Sequence, residues 1–370
     1  MTASGDSARG AGADGGAASR MMPAEWEPHA GTWISWPHYR ADWPGKFEPI
    51  PWVFAEIVRR LAPRETVNIL VASAGEERDA RRILARAGAP EQGVRLHRIP
   101  TERCWARDFG PIFVRDAAGS VSVAGFRFNA WARYPNYRQD SQVAARIARV
   151  TGSRVDHVLL AGRPMVLEGG SIDVNGRGSL LTTEECLLDA EVQVRNPGVP
   201  RAEVEAALGR ALGARNVLWL SAGIAGDDTH GHVDDIGRFA GPTTIVLCRE
   251  QDPSDVNYRA LEENRERAQG FRLEDGSRPE IVYLPMPAPL VHAGQRLPAS
   301  YANYYVANGV VIVPTFNDQS DREALGILSD LFPGRAVIGI HAVDLVWGRG
   351  TLHCLTQQEP QPGSPAAPRS

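Results

Sequence analysis

The segment FAEIVRRLAPRETVNILVASAGEERDARRILARA (Phe54–Ala87) decides the fold class, because its hydrophobic period changes twice within a short span. Phe54–Leu61 carries apolar residues at helical spacing, Val67–Ala72 is a compact β-rich run, and Glu76–Ala87 returns to helical spacing. Further strand-like runs follow at Ile112–Val114 and Thr244–Leu247. Such alternation argues for an α/β protein. Upstream, Met22–Gly45 crowds Trp and Pro with little periodicity and reads as an ordered wrapping segment, not as a regular element. Neither a GxGxxG opening a helix nor a Walker-type lysine loop follows the early strands, which weighs against a nucleotide-binding doubly wound sheet.

The flanks bound the domain. Residues 1–21 open in a Gly/Ala/Ser-rich stretch without the apolar run of a secretory signal, and 361–370 are Pro/Ser/Ala-rich. Both are expected to be disordered tails around one catalytic domain at 22–360. No window approaches the ~20 apolar residues of a membrane span, so a cytoplasmic protein is expected. Across 370 residues, 40 Lys and Arg against 44 Asp and Glu leave a net charge of −4. No basic stripe interleaved with aromatics is present, so a nucleic-acid partner is not expected, and the mild acidity favours a cationic ligand. Cys104, Cys186, Cys248 and Cys354 form no CxxC pair, which argues against a structural zinc site or a disulfide framework.

Polar residues beside strand-like runs recur along the chain: Asp108, Glu168, Asp234, Asn303 and Cys354 are separated by 60, 66, 69 and 51 residues. That spacing suits several similar α/β units, each offering a residue to a shared centre. Cys354 lies in GRGTLHCLTQQEP (Gly348–Pro360). A lone cysteine is ordinarily a small buried hydrophobe, but the flanking glycines and the polar Gln357–Gln358 pair favour a nucleophile near a histidine. In GDDTHGHVDDIGRF (Gly226–Phe239), His232 and Asp234 would share a face if the segment is extended. The competing readings there are a solvated acidic loop or a metal cluster that includes His230. ERCWARDFGPIFVRD (Glu102–Asp116) offers Trp105 and Asp108, against a surface Arg107–Asp108 ion pair of little worth. LEGGSIDVNGRGSLLTTEECLL (Leu167–Leu188) offers Glu168, which could merely cap a turn. Cys186 and Cys248 sit in apolar sequence and read as structural, while Cys104 is ambiguous beside Trp105.

Taken together these segments resemble the agmatine deiminase family of the guanidino-group-modifying superfamily. The motifs are WxRDxGPxFV at Trp105–Val114, EGGSxxVxGxGxxLTTExCLL at Glu168–Leu188, TxGHxDDxxxF at Thr229–Phe239, LPASYxNxxxxNGxxIxP at Leu297–Pro314 and GxGxxHCxTQQxP at Gly348–Pro360. The opening MPAEWEPHAGTWISWP (Met22–Pro37) fits as well. The resemblance implies a five-bladed α/β propeller (a pentein) with pseudo-fivefold symmetry and one central site. It implies Cys354 as nucleophile, His232 as general acid and base, Asp108 and Asp234 as guanidinium clamps, and Glu168 as a third acidic group. Trp105, Asp228 and Asn303 would contact substrate.

The implied reaction converts agmatine to N-carbamoylputrescine and ammonia, as in putrescine biosynthesis, through a thiouronium on cysteine. No metal and no organic cofactor is called for. The expected partner is a small cationic guanidine; neither nucleic acid nor membrane is expected, and a homo-oligomer is left open. A peptidylarginine or free-arginine deiminase is the alternative on the same scaffold, with an amidinotransferase or a non-catalytic binder behind it. Two places depart from the family pattern. GFRFNAWARYPNYRQD (Gly125–Asp140) lacks the Gly-Gly pair of DWxFNAWGG, and His230 stands where Asn or Asp is usual. Arg133 and Arg138 in the first of these could meet a substrate carboxylate.

Overall fold

A computed structural model describes residues 20–363. The expected disordered tails at 1–21 and 361–370 fall largely outside these residues, but the first boundary is shifted: Arg20 and Met21 form a short strand antiparallel to Asp116 and Arg115. The α/β reading of Phe54–Ala87 holds, with helices at Ile50–Leu61 and Ala74–Arg86 around the strand Thr66–Val71. The second helix begins ahead of its apolar pattern because Ser73 caps it. The Ser73 hydroxyl accepts from the Glu76 amide at 3.2 Å while the Glu76 carboxylate turns back to the Ala72 amide at 2.6 Å. Such a cap contributes about 1 kcal/mol.

One strand pattern occurs five times. A short strand runs antiparallel to a second strand, a helix crosses over, and a third strand lies parallel to the second. The strands are Ile112–Asp116, Val121–Gly125 and Val155–His157 in one sheet. Asp173–Val174, Ser179–Thr183 and Asn216–Leu220 form the next. Gly237–Phe239, Thr244–Arg249 and Glu280–Pro285 follow, then Tyr305–Ala307, Val310–Thr315 and Ala336–His341. The remaining sheet joins the two ends of the domain, with Thr356–Pro360 antiparallel to His29–Ser35, which is parallel to Thr66–Val71, itself parallel to Val94–Arg98.

That last sheet corrects one reading. Met22–Gly45 is not only a wrapping segment, because His29–Ser35 within it is an interior strand. Its side chains are buried on both faces, apart from Ala30, so it lacks the alternation that marks a half-exposed strand. Val310–Thr315 likewise reads as a continuous apolar run and is buried through Pro314. Among the described residues no helix is long and apolar enough to cross a membrane.

The five-unit plan places the polar candidates. Asp108 lies on the helical turn Ala106–Phe109 just before Ile112, and Glu168 opens the turn Gly169–Ser171 before Asp173. Asp234 lies on the turn Val233–Asp235 before Gly237, Asn303 precedes Tyr305, and Cys354 lies on Leu352–Leu355 before Thr356. Each unit therefore presents one candidate at the same topological position, and the intervals noted in the sequence are the lengths of the units.

Candidate active site

Asp108, His232 and Asp234 meet around Gly170. A Cβ on that glycine would fall 2.6 Å from His232 Nδ1, 2.9 Å from Asp108 Oδ1 and 3.0 Å from Asp234 Oδ2, so the absence of a side chain there lets three polar groups converge. The Gly170 amide donates to Asp108 Oδ1 at 3.1 Å and the Trp131 indole donates to Oδ2 at 2.9 Å, which fixes the carboxylate plane. His232 and Asp234 do not adjoin through an extended segment, as expected; His232 instead precedes a 3-10 turn that carries Asp234. That turn is built by Asp227, whose carboxylate accepts from the amides of Thr229, Gly231 and His232 at 2.8, 2.8 and 3.1 Å.

The His232 ring lies between two acids, with Nδ1 3.7 Å from Asp108 and Nε2 3.7 Å from Glu168. Burial opposes its charge, yet Asp108, the Cys186 thiol and Glu168 together hold its pKa well above the ordinary value. Glu168 is fully buried; burial would raise its pKa, but Arg195 and His232 bring it down to about 2. Burial moves Asp108 the other way, to about 6, against the pull of His232 and with the push of Asp234 and Glu168. Cys354 sits beside these acids, and burial, Asp234, Asp235 and Asp108 push its thiol well up. The resting sulfur is therefore protonated and awaits a positive charge.

A cavity of about 690 Å³ opens onto Cys354, Asp108 and Trp105, and its outer wall includes Asp42, Arg103 and Asp228. Trp105 reaches the site over Gly350, where a Cβ would fall 2.7 Å from the indole. Its own N–H donates to Asp42 at 3.1 Å. Asp228 accepts from the Tyr134 hydroxyl at 2.5 Å. Asn303 is placed differently from expectation. It is fully buried behind the thiol, its amide donating to Cys354 Sγ at 3.1 Å and to Asp235 at 2.9 Å. The arginines on this cavity are Arg103 and Arg349, not Arg133 or Arg138; Arg103 pairs with Asp42 and Arg349 with Gln295.

Several other readings change. Arg107 makes no surface pair with Asp108; it is buried and donates to Glu25 at 3.0 Å and to Gln358 at 2.7 Å. His230 points to Asp189 at 2.7 Å and Glu185 at 3.6 Å, so it shares no ligand set with His232. Among the described residues, the donor groups close enough to hold an ion are Glu168, Cys186 and His232, and Asp234, Asp235 and Cys354. Arg195 lies 3.2 Å from Glu168 and supplies the first group with a protein cation. Cys186 is thus no remote core residue. Glu25 and His353 carried no signal either: a lone acid in a Trp/Pro-rich stretch and a histidine quoted only as the neighbour of Cys354. Both turn out to lie against the site.

Comparison with known proteins shows which family the chain belongs to. The family model for Porphyromonas-type peptidyl-arginine deiminase matches residues 21–360. Agmatine deiminase of Ectopseudomonas mendocina is 34% identical, over 92% of this chain and 95% of its own length. The structure of Enterococcus faecalis agmatine deiminase superposes with a TM-score of 0.86 at 29% identity, covering 93% of this chain and 97% of that one. A cysteine-to-serine variant of C. jejuni agmatine deiminase with substrate bound superposes at 0.82 and 27% identity, over 93% and 97%. The match spans all five strand units and the buried acids, histidine and cysteine they present, and on that extent the chain belongs to the Porphyromonas-type peptidyl-arginine deiminase family.

Proposed function

We propose that the protein is a guanidine deiminase that hydrolyses agmatine to N-carbamoylputrescine and ammonium, with Cys354 as nucleophile. The observation that carries this reading is the Cys354 sulfur at the end of a cavity, beside the buried cluster of Asp108, Asp234 and His232. We read the five strand units as blades of a five-bladed α/β propeller around that site, forming one catalytic domain. The repeated pairing pattern and the common position of the five polar residues support that arrangement.

A guanidinium is planar, with a pKa of about 13.8, so its carbon is a poor electrophile until it is held and its plane fixed. Asp108 and Asp234 grip its N–H groups and leave the carbon facing the sulfur. The arriving cation reverses the charge balance around Cys354, and the thiol proton leaves to solvent. The thiolate adds to the carbon, giving a tetrahedral adduct. The His232 imidazolium donates its proton to one amino group, the C–N bond breaks and ammonia departs, leaving an S-alkylthiouronium. Neutral His232 then takes a proton from water as the hydroxide adds. Collapse breaks the C–S bond, returns the thiolate and releases the ureido product, and ammonia takes up the last proton. Glu168, held ionised by Arg195, keeps His232 in its charged form between turnovers.

Asp228 on the outer wall suits the distal ammonium of agmatine. Arg103 and Arg349 favour the second reading, a substrate with a carboxylate, but both already have partners in Asp42 and Gln295. Ammonia release from agmatine, arginine and a C-terminal-arginine peptide tests the proposal. The highest kcat/KM is expected for agmatine; a preference for either of the others replaces the substrate, and no release from any of them ends the deiminase reading.

A further inference from the structure

His353 precedes the nucleophile in sequence but points away from the cavity, and every polar atom it carries is engaged. Its amide donates to Asn303 Oδ1 at 3.0 Å and its carbonyl lies 3.4 Å from Arg107 Nε. Its ring bridges two buried carboxylates, with Nδ1 2.6 Å from Asp234 Oδ2 and Nε2 2.8 Å from Glu25 Oε2. An ionised carboxylate only accepts, and a neutral imidazole has one N–H. Two contacts this short therefore need two ring protons or a protonated acid.

Glu25 is not the protonated partner. Its carboxylate also accepts from Arg107 at 3.0 Å, Arg238 at 2.8 Å and the Val306 amide at 2.8 Å, all of them donors. Burial would raise its pKa, but Arg238, His353 and Arg107 hold it well below the ordinary range. Asp234 is likewise held down by His353 against burial. The charged groups around the ring come from three regions: Glu25 from the opening segment, Arg107 from the turn before Ile112, and Asp234 and Arg238 from the turn and strand at Val233–Phe239, Arg238 also pairing with Asp173. Without a ring charge this buried group has three carboxylates against two guanidiniums. A charged ring balances it, and an unbalanced buried charge is costly.

We propose that His353 is a positioning residue, an imidazolium clamped between Glu25 and Asp234, which fixes Asp234 Oδ2 so that Oδ1 is presented to the guanidinium. Oδ1 is buried and has no protein hydrogen-bond partner among the described residues, while Oδ2 meets the ring at 2.6 Å and lies 3.9 Å from Cys354 Sγ. The clamp acid is thereby kept charged and held in one rotation before substrate arrives, which is the pre-organisation that planar recognition requires. The inference rests on the deiminase reading only for the group Asp234 holds; the charge state of the ring stands apart from it.

Two measurements test it. ¹⁵N NMR of the histidine-labelled protein at neutral pH, with His353 assigned by through-bond correlation from its own amide, should show both ring nitrogens protonated, as its two short carboxylate contacts require. A neutral tautomer at neutral pH overturns the proposal, whatever the activity. His353→Gln can donate toward only one of the two acids. It should lower kcat/KM by about a hundredfold and weaken competitive inhibition by guanidinium ion by a similar factor. Unchanged kinetics in the folded variant, with only a lower Tm, also overturn it. If His353→Gln does not fold, the wild-type spectrum decides alone. A wild type that turns over no guanidine ends the proposed function and leaves the spectrum as the test of the ring.

Discussion

The floor of the cavity and its mouth are built on different terms. On the floor, Asp108, Glu168, His232, Asp234 and Cys354 are all buried, each anchored by neighbours from another strand unit, and the glycine at 170 leaves no spare volume between them. At the mouth, Asp42, Arg103, Tyr134 and Asp228 form pairs among themselves around an open space. Bond making tolerates displacements of well under an ångström, whereas holding the far end of a flexible cation needs only a charge in reach. Of the two departures from the family pattern, Gly125–Asp140 contributes Tyr134, Pro135 and Asn136 to the mouth, while His230 pairs with Asp189 and Glu185 outside the cavity lining.

The largest effects should fall on the floor. Cys354→Ser is expected to reduce turnover by on the order of 10⁴-fold or more, because a hydroxyl cannot replace the thiolate. Iodoacetamide should label Cys354, which lines the cavity, ahead of Cys186 and Cys248, which do not, and agmatine should protect it. Wild-type rates from the serine variant would break the contrast at its centre. Asp108→Asn or Asp234→Asn should cost about 10²- to 10³-fold in kcat/KM with the fold retained.

Acidity offers a sharper form of the same test, since burial lifts Asp108 on the floor and Asp42 at the mouth to the same value of about 6. In the proposed mechanism Asp108 grips the reacting group and Asp42 does not, so kcat/KM should fall as pH drops through about 6 and keep that limb in Asp42→Asn. The stability sign follows from the raised values. Each acid binds its proton more tightly folded than unfolded, so its contribution is fully present below about pH 4 and is lost as pH rises through about 6. Guanidinium binding, which repays the charged form, should raise Tm more at pH 8 than at pH 5. Equal shifts would mean that Asp108 does not meet the cation.

Gly170→Ala comes next. A methyl group 2.6 Å from the His232 ring must displace it or Asp108, at about 1 to 3 kcal/mol of stability and about a hundredfold in kcat/KM.

What the sequence revealed follows the same division. Asp108, His232, Asp234 and Cys354 were legible because each sits in a glycine-punctuated motif at a unit boundary, and the helices and most strands because their periods are local. Glu25 and His353 were not, although both fall inside quoted motifs, since the contact between them joins positions 328 residues apart and no local pattern pairs them. His29–Ser35 was missed because a strand buried on both faces shows no alternation. Cys186 lies in the apolar core, as its neighbours suggest, and its sulfur also lies beside Glu168 and His232. Asn303 was found by its place in the repeat but assigned to the substrate, when its fully buried amide serves the sulfur behind the cavity.

At the mouth the expected effects are smaller. Asp228→Asn should lower kcat/KM for agmatine by about tenfold, the scale of one partly screened ion pair, and leave arginine nearly unaffected. Loss of both substrates alike would move Asp228 to the floor.

The smallest effect concerns the turn that replaces the family's Gly-Gly pair. Ala130, Trp131 and Ala132 have φ of 53°, 59° and 51°, a left-handed run of three residues with side chains, held by the Ala132 amide donating to Asn129 at 2.9 Å. Each such residue costs roughly 1 to 2 kcal/mol, and glycine would relieve that while giving back roughly 0.5 to 1 in unfolded-chain entropy. Ala132→Gly should therefore raise Tm by about 1 °C. It should leave kcat/KM unchanged, because the exposed Ala132 methyl touches no reacting group and the Trp131 bond to Asp108 remains. Trp131→Phe is the counterpart: it keeps the turn, removes the indole donor from Asp108 Oδ2 and should cost about tenfold in kcat/KM. If Ala132→Gly were the variant to lose activity, the strain in this turn would be holding Trp131 against the clamp, and the turn would belong functionally to the floor although it stands at the mouth.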